Sequence, residues 1–353
     1  MKKTLQTAVM GVTGYAGLEL ARLLLRHPQL QSAAPLFLKR AEVAGHATPL
    51  SDLHPYLMDN NGSPSLQVEP FSWELLKDRS VEVLFLATPH EQSREIAPEA
   101  IERGLRVIDL SGAWRLDEAQ NRAVYKFEDE GSATAVSVQA KSVYGMPEIH
   151  REEIRDAELV ANPGCYATSV ILALKPLVAQ GWVDLDHGIV SDSKSGVSGA
   201  GKTPSAKTHF MYAADNLSAY GVFAHRHTGE LLEQLDLGPE QIIFTPHLLP
   251  IPRGILSTIY VSFREQKQSA EVEACYREFY KDSPLVRVFP AGQLPQIQYS
   301  VRTNYCDIGF HLAPDGRRCV IVSCLDNLLK GAAGQAVQNL NVMYGWNESE
   351  GLA

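Results

Sequence analysis

The chain has 353 residues, 45% of them hydrophobic, which is room for two domains of ordinary size and typical of a globular protein. Its 32 basic and 41 acidic residues leave a formal net charge of -9, which argues against nucleic acid as the main partner, because a phosphate-binding surface needs a basic excess. No apolar stretch is long enough to span a bilayer, Met1-Lys2-Lys3-Thr4 opens no signal peptide, and the five cysteines show neither a disulfide framework nor metal-site spacing, so the expectation is a reducing, cytoplasmic setting without membrane or metal.

Thr7 to Met10 is a short β-prone run, and Leu18 to Arg26 has the apolar spacing of a helix. Between them stand Gly11-Val12-Thr13-Gly14-Tyr15-Ala16-Gly17. Small residues at a strand-to-helix turn let backbone amides approach a pyrophosphate at the helix N-terminus, so the segment reads as a dinucleotide loop; an ordinary tight turn is the plainer alternative. Ala34 to Leu38 reads as the second strand. It ends in Lys39-Arg40 where a non-phosphorylated nicotinamide cofactor usually meets an acid. Two cations suit an added 2′-phosphate, against the alternative of a solvated basic pair. Glu42 to Pro70 is rich in turn residues and is not placed. Val81 to Ala87 is a continuous apolar run, as in a buried parallel strand, followed by Thr88-Pro89-His90 and a helix over Gln92 to Arg103. Arg106 to Leu110 is another strand. This alternation predicts an open α/β sheet with its site at the strand C-termini.

Asn162-Pro163-Gly164-Cys165-Tyr166-Ala167-Thr168 precedes the apolar run Ser169 to Leu174. A turn followed by a helix sets the Cys165 thiol at a helix N-terminus, where unpaired N–H groups stabilise a thiolate and a developing oxyanion. Cys275, Cys306, Cys319 and Cys324 lie in or beside helix- and strand-like runs and read as small buried hydrophobes. A nucleophilic thiol beside a hydride carrier points to interconversion of an acyl group and an aldehyde through a thioester.

Beyond Cys165, strand-like runs occur at Gly188 to Ser191, Ile242 to His247, Ile255 to Phe263, Asp307 to Leu312 and Cys319 to Cys324. With a helix over Glu271 to Tyr280 they predict a mixed or antiparallel sheet. Ser193 to Lys202, dense in glycine, hydroxyls and lysine, reads as an anion-cradling loop or an exposed connection. His225 and His227 flank Arg226, and would face the same way if the piece were extended. Either imidazole suits the thiol's acid–base partner, with Arg226 meeting an anionic substrate; His90, His209 and His247 compete. Leu328 to Tyr344 is helical in pattern; Asn327 before it suits a bond to a carboxamide, and the small residues of Asp326 to Ala336 allow close approach to a cofactor or another helix, with packing alone the simpler reading of their Ala and Gly content.

In this order the segments resemble the N-acetyl-gamma-glutamyl-phosphate reductase family of arginine biosynthesis. The resemblance runs through Gly11 to Gly17, Ala87-Thr88-Pro89-His90, Asp109 to Arg115, Tyr144 to Glu148, Asn162 to Tyr166, Ser198 to Gly201, His225-Arg226-His227 and Asp326 to Gly334. Ala167 stands where that family usually has proline, and Trp114 where it commonly has phenylalanine. The resemblance implies an α/β fold: a Rossmann-type NADP-binding domain (1–160 plus 326–353) and an α+β catalytic and oligomerisation domain (161–325) of the semialdehyde and glyceraldehyde-phosphate dehydrogenase type. It implies NADPH-dependent reduction of a small acyl phosphate by a homodimer or homotetramer, with Cys165 and His225 catalytic. Substrate would fall to His227, Arg226, Ser195, Gly199, Lys202, Arg115 and Asn162. Cofactor would fall to Gly11, Thr13, Gly14, Tyr15, Ala16 and Gly17, and to Lys39, Arg40, Thr88, Pro89, Ser111 and Asn327. Aspartyl phosphate, a carrier-bound aminoadipyl phosphate and a nucleotide-binding protein without turnover are the alternatives.

Overall fold

A computed structural model describes residues 5–40, 46–57 and 66–352. The chain divides into two compact units, one of residues 1–115, 127–162 and 333–353, the other of residues 116–126 and 163–332. Against the boundaries expected from the sequence, residues 116–126 and 326–332 fall in the second unit and residues 161–162 in the first.

The first unit holds an eight-stranded sheet: β1 (Thr7–Met10), β2 (Leu36–Lys39), β3 (Thr48–Pro49), β4 (Gln67–Pro70), β5 (Val83–Leu86), β6 (Arg106–Asp109), β7 (Ser142–Tyr144) and β8 (Leu159–Ala161). Its order is β3-β4-β2-β1-β5-β6-β8-β7, and every pair is parallel except β3 with β4. β1 and β5 are buried along their whole length, which is why β5 reads as a continuous apolar run rather than an alternating one. The strand order reverses beside β1. In such sheets that reversal opens a crevice at the strand C-termini, and the glycine loop follows β1 there. Residues 41–45 and 58–65, within the stretch the sequence left unplaced, lie outside the described residues. Around them that stretch contains β3, a short helix Leu50–Leu53 and β4.

The second unit holds a mixed seven-stranded sheet: β9 (Ile189–Gly196), β10 (Ser218–Ala219), β11 (Ile242–Leu249), β12 (Ile255–Ser262), β13 (Val286–Val288), β14 (Cys306–Leu312) and β15 (Arg318–Leu325), in the order β10-β11-β9-β12-β15-β14-β13. β9 with β11 and β13 with β14 are parallel, and the other pairs antiparallel. β9, β11 and β12 alternate buried with more exposed residues, the signature of one covered face. The helix Cys165–Ala179 packs on β12 and β15. Nearly all of it is buried from Tyr166 to Leu177. Among its buried polar contacts is that of Ser169, whose Oγ lies 2.9 Å from Ser257 Oγ and 3.0 Å from Ser323 Oγ.

Two expectations change. β9 runs on to Gly196, so Ser193 and Ser195 are buried strand residues, not loop. Pairing on both sides, with β11 and β12, holds that serine-rich stretch extended. The final helix begins with a π-helical turn, Leu329–Ala333, before the α-helix Gly334–Met343. Among the described residues no helix is long and apolar enough to cross a membrane.

Candidate active site

In the first unit, Gly11 has φ +94°, and a Cβ there would lie 2.4 Å from the Ala87 carbonyl oxygen. A Cβ on Gly17 would lie 2.3 Å from the Gly11 carbonyl oxygen. Both positions therefore admit only glycine: one for its left-handed backbone and close strand contact, the other for loop-to-helix packing. Gly14 differs, since a Cβ there would meet nothing nearer than the Gly11 carbonyl oxygen at 3.8 Å. It is the N-cap of the helix Tyr15–Arg26 and offers no side-chain cap. The first-turn amides are thus uncapped by a side chain, which suits an anion. Thr13 and Tyr15 are exposed and Ala16 half-buried. Thr88, beside Gly11, has a buried Oγ1 with no hydrogen-bond partner, and Pro89 is the N-cap of the helix His90–Glu102. An orphaned hydroxyl next to an open glycine loop fits a dinucleotide.

Lys39 ends β2 and donates from Nζ to Thr48 Oγ1 at 2.6 Å, and Arg40 is exposed. The remaining first-unit candidates are committed to the protein's own framework. Ser111 donates to Asp109 Oδ2 at 2.7 Å and accepts the Ala113 N–H at 3.1 Å. Burial raises the Asp109 carboxyl despite these bonds. Arg115 is buried, with Nε donating to the Asn162 carbonyl at 2.7 Å and a terminal nitrogen to that of Leu110 at 2.8 Å. Asn162 Oδ1 accepts from Asn339 Nδ2 at 3.0 Å. Arg115 and Asn162, expected at the substrate, brace the loops that follow β6 and β8.

In the second unit, Cys165 is the first residue of its helix, with Gly164 (φ -72°, ψ 145°) as N-cap and no side-chain cap. The Thr168 N–H closes the first turn onto the Gly164 carbonyl at 2.8 Å, so the amides of Cys165, Tyr166 and Ala167 precede any intrahelical bond. Cys165 is half-buried, whereas Cys306, Cys319 and Cys324 are fully buried. Burial pushes the Cys275 thiol up, and that of Cys319 up to about 12. Cys165 lines a cavity of about 200 Å³ together with Tyr166, Gly199, Lys207, Tyr220, His225, Arg226 and His227.

The His-Arg-His segment is not extended. His227 is helical (φ -78°, ψ -8°) and caps the helix Thr228–Leu235, yet the two imidazoles lie 4.7 Å apart, edge to face. The turn brings them together because the His227 N–H donates to His225 Nδ1 at 3.1 Å. With Nδ1 accepting, the neutral His225 ring carries its proton on Nε2. Burial, and then the Arg226 charge, lower the His225 pKa to about 4. Its ring packs edge-on against Tyr166, Tyr220 and Phe244. Burial raises the Tyr166 phenol and pushes that of Tyr220 up to about 12, so both remain protonated; Tyr166 donates to the His247 carbonyl at 2.8 Å. The Arg226 guanidinium stands 5.8 Å from the Tyr125 ring centroid.

Ser195 is buried and donates to the Gly196 carbonyl at 3.1 Å, Gly199 lines the cavity, and Lys202 is exposed. Asn327, expected at the cofactor, uses its carboxamide within the second unit. Oδ1 accepts the Gly254 N–H at 2.8 Å and Nδ2 donates to Ser198 Oγ at 2.9 Å.

Four residues escaped the sequence reading. Glu230 is fully buried and accepts the Gly164 N–H at 2.9 Å; its place three residues after His227 was the available signal. Lys207 and Tyr220 line the cavity from segments without a motif. Gly331 lies so close that its Cβ would sit 2.7 Å from Cys165 Cβ, and it was hidden in a stretch read as packing.

Two family models match the chain: the semialdehyde dehydrogenase NAD binding domain over residues 6–157 and the semialdehyde dehydrogenase dimerisation domain over residues 165–327. Among solved structures, aspartate semialdehyde dehydrogenase II from Vibrio cholerae aligns with TM-score 0.71 at 18% identity, over 98% of this chain and 99% of that one. The aspartate semialdehyde dehydrogenase of Candida albicans aligns at 0.67 and 15%, over 98% and 99%. These likenesses establish the fold. The N-acetyl-gamma-glutamyl-phosphate reductase of Desulfotalea psychrophila is 44% identical over 99% of this chain and 98% of its own length. That of Methanocaldococcus jannaschii is 40% identical over 98% and 97%. With the dinucleotide loop, the thiol at a helix N-terminus and identity of this extent along the whole length, the chain belongs to the N-acetyl-gamma-glutamyl-phosphate reductase family.

Proposed function

We propose that this chain reduces N-acetyl-L-glutamyl 5-phosphate to N-acetyl-L-glutamate 5-semialdehyde and phosphate, a step of arginine biosynthesis, through a thioester on Cys165. The observation that carries this reading is Cys165 itself, half-buried at an uncapped helix N-terminus in a cavity shared with two histidines and two cations. Sγ attacks the acyl carbon, an S–C bond forms, the C–O bond to phosphate breaks and phosphate leaves. The reduced nicotinamide, when bound, supplies a hydride to the thioester carbon. The resulting thiohemiacetal collapses to aldehyde and the free thiol.

The first-turn amides of the Cys165 helix stabilise the oxygen of both tetrahedral adducts. His225 is the acid–base partner, with Nε2–H as the donor to the thiohemiacetal oxygen. A phosphate drawn to Arg226 offsets one of the two causes that depress the His225 pKa. His227, Arg226, Gly199 and Lys207 border the acyl phosphate, with Ser195 behind Gly199 and Lys202 at the rim. Arg115 and Asn162 act at one remove, as braces. In the first unit, Gly11 to Gly17 and Thr88 hold the pyrophosphate. Lys39 and Arg40 select NADPH through the 2′-phosphate. The active form is a homodimer or homotetramer in the cytoplasm; the match to a dimerisation domain supports the assembly.

The test is the reverse reaction: NADP and phosphate offered with N-acetyl-glutamate semialdehyde, aspartate semialdehyde or glyceraldehyde 3-phosphate, following NADPH formation. Preference for the N-acetylated aldehyde supports the proposal. Preference for aspartate semialdehyde replaces the substrate and keeps the thioester, while absence of turnover with all three sinks it.

A further inference from the structure

Glu230 does not line the cavity, yet it meets two groups that shape it. It stands in the first turn of the helix Thr228–Leu235 with no solvent exposure. Placing a carboxyl there is costly unless it is paired. Oε2 accepts the Gly164 N–H at 2.9 Å, the amide of the N-cap residue that precedes Cys165. Oε1 lies 4.0 Å from His227 Nε2, within Coulomb reach and beyond a hydrogen bond. The third side of this triangle is steric. A Cβ on Gly164 would lie 2.4 Å from His227 Nε2, so the ring occupies the space a side chain would fill. Glycine at 164 is therefore required by the ring and not by its own backbone, whose φ and ψ suit any residue. From His227 the arrangement continues through its N–H to His225 Nδ1.

The ionisable groups around His227 are Cys165 and Tyr166 from the nucleophile's helix, Tyr220, His225 and Arg226 from the preceding turns, and Lys207 from the short turn Ala206–Thr208. Glu230 is the acid set beside His227, the ring that links the N-cap of the Cys165 helix to this group. We infer that Glu230 is the positioning residue of the site: it clamps the Gly164 N-cap and the His227 ring into one arrangement and thereby makes Cys165 reactive as a thiolate. A negative charge beside the imidazole favours its protonated form, and a protonated imidazole favours the thiolate. The inference rests on the reading of Cys165 as the nucleophile, but its readout needs no turnover.

The experiment measures alkylation of Cys165 by iodoacetamide against pH, scored on the Cys165 peptide by mass spectrometry, in the full chain and in Glu230→Gln. The amide keeps an acceptor for the Gly164 N–H and removes the charge facing His227. The expected result is alkylation about tenfold slower at pH 7, with the profile displaced about one pH unit upward. In parallel kcat falls while KM changes less than threefold. An unmoved alkylation profile, or a faster one, overturns the inference. Should Glu230→Gln not fold, His227→Asn reads the same coupling from the other side and must displace the profile in the same direction. An unchanged profile there also overturns it. Where both variants fold, the double variant must alkylate no more slowly than His227→Asn alone. Failure of the unsubstituted protein to reduce any acyl phosphate would count against the proposed function, and would leave the alkylation profile to judge Glu230.

Discussion

Gly164→Ala is the sharpest probe of the thiol pocket, because the structure separates its cost to the fold from its cost to the chemistry. The backbone at Gly164 (φ -72°, ψ 145°) is comfortable for alanine. Losing glycine for alanine at an N-cap costs up to about 1 kcal/mol, or roughly 2–4 °C in Tm for a unit of this size. The new methyl, however, would lie 2.4, 2.5 and 2.6 Å from His227 Nε2, Cδ2 and Cε1. Carbon contacts settle at about 3.5–4.0 Å, so the ring must retreat by roughly 1–1.5 Å. A displacement of about 1 Å in a reacting constellation costs on the order of 10²-fold in rate. The expected outcome is a folded protein, by thermal melting, with kcat/KM in the reverse assay lowered about a hundredfold. A variant that melts normally and keeps its rate within threefold of the parent would show that the His227 position is immaterial to catalysis. A variant that fails to fold would show that the 2.4 Å clash is relieved by the backbone and not by the ring.

Cys165→Ser should abolish both turnover and stoichiometric acylation by acyl phosphate, and acyl label found at full occupancy on another residue would displace the nucleophile. Neutralising Lys39 and Arg40 together should raise KM for NADPH by about tenfold or more and leave KM for NADH nearly unchanged; equal losses with both cofactors would assign the pair to the fold. His225 also predicts a stability profile. Its folded pKa, about 4, lies below the unfolded value of 6.5, so between these values the unfolded chain binds the extra proton. Stability from this group is complete above about pH 6.5 and falls as the pH drops towards 4, by about 3 kcal/mol at most. His225→Asn should flatten that part of the Tm-against-pH curve, and an unaltered curve would mean the histidine is not desolvated as the structure has it.

Local chemistry determined much of this protein before any tertiary contact was known. Gly11 and Gly17 announce the nucleotide loop because one needs a positive φ and the other stands where a Cβ would lie 2.3 Å from backbone, demands that no other residue satisfies. Asn-Pro-Gly before an apolar run places Cys165 at a helix start, because turn residues stop one element and the apolar run nucleates the next. β5 is legible because a strand buried along its whole length reads as a continuous apolar run. Tertiary structure decided what lies between residues far apart in the chain. The histidines converge through a turn rather than by alternation along an extended piece, because a backbone N–H found the neighbouring ring. β9 captured Ser193 and Ser195 because strands on both sides offered hydrogen bonds that no propensity scale contains. Asn327 reached Gly254 across 73 positions, and Glu230 reached Gly164 across 66. A buried polar group must find its partner wherever packing has put one, and that partner is fixed by three-dimensional proximity alone.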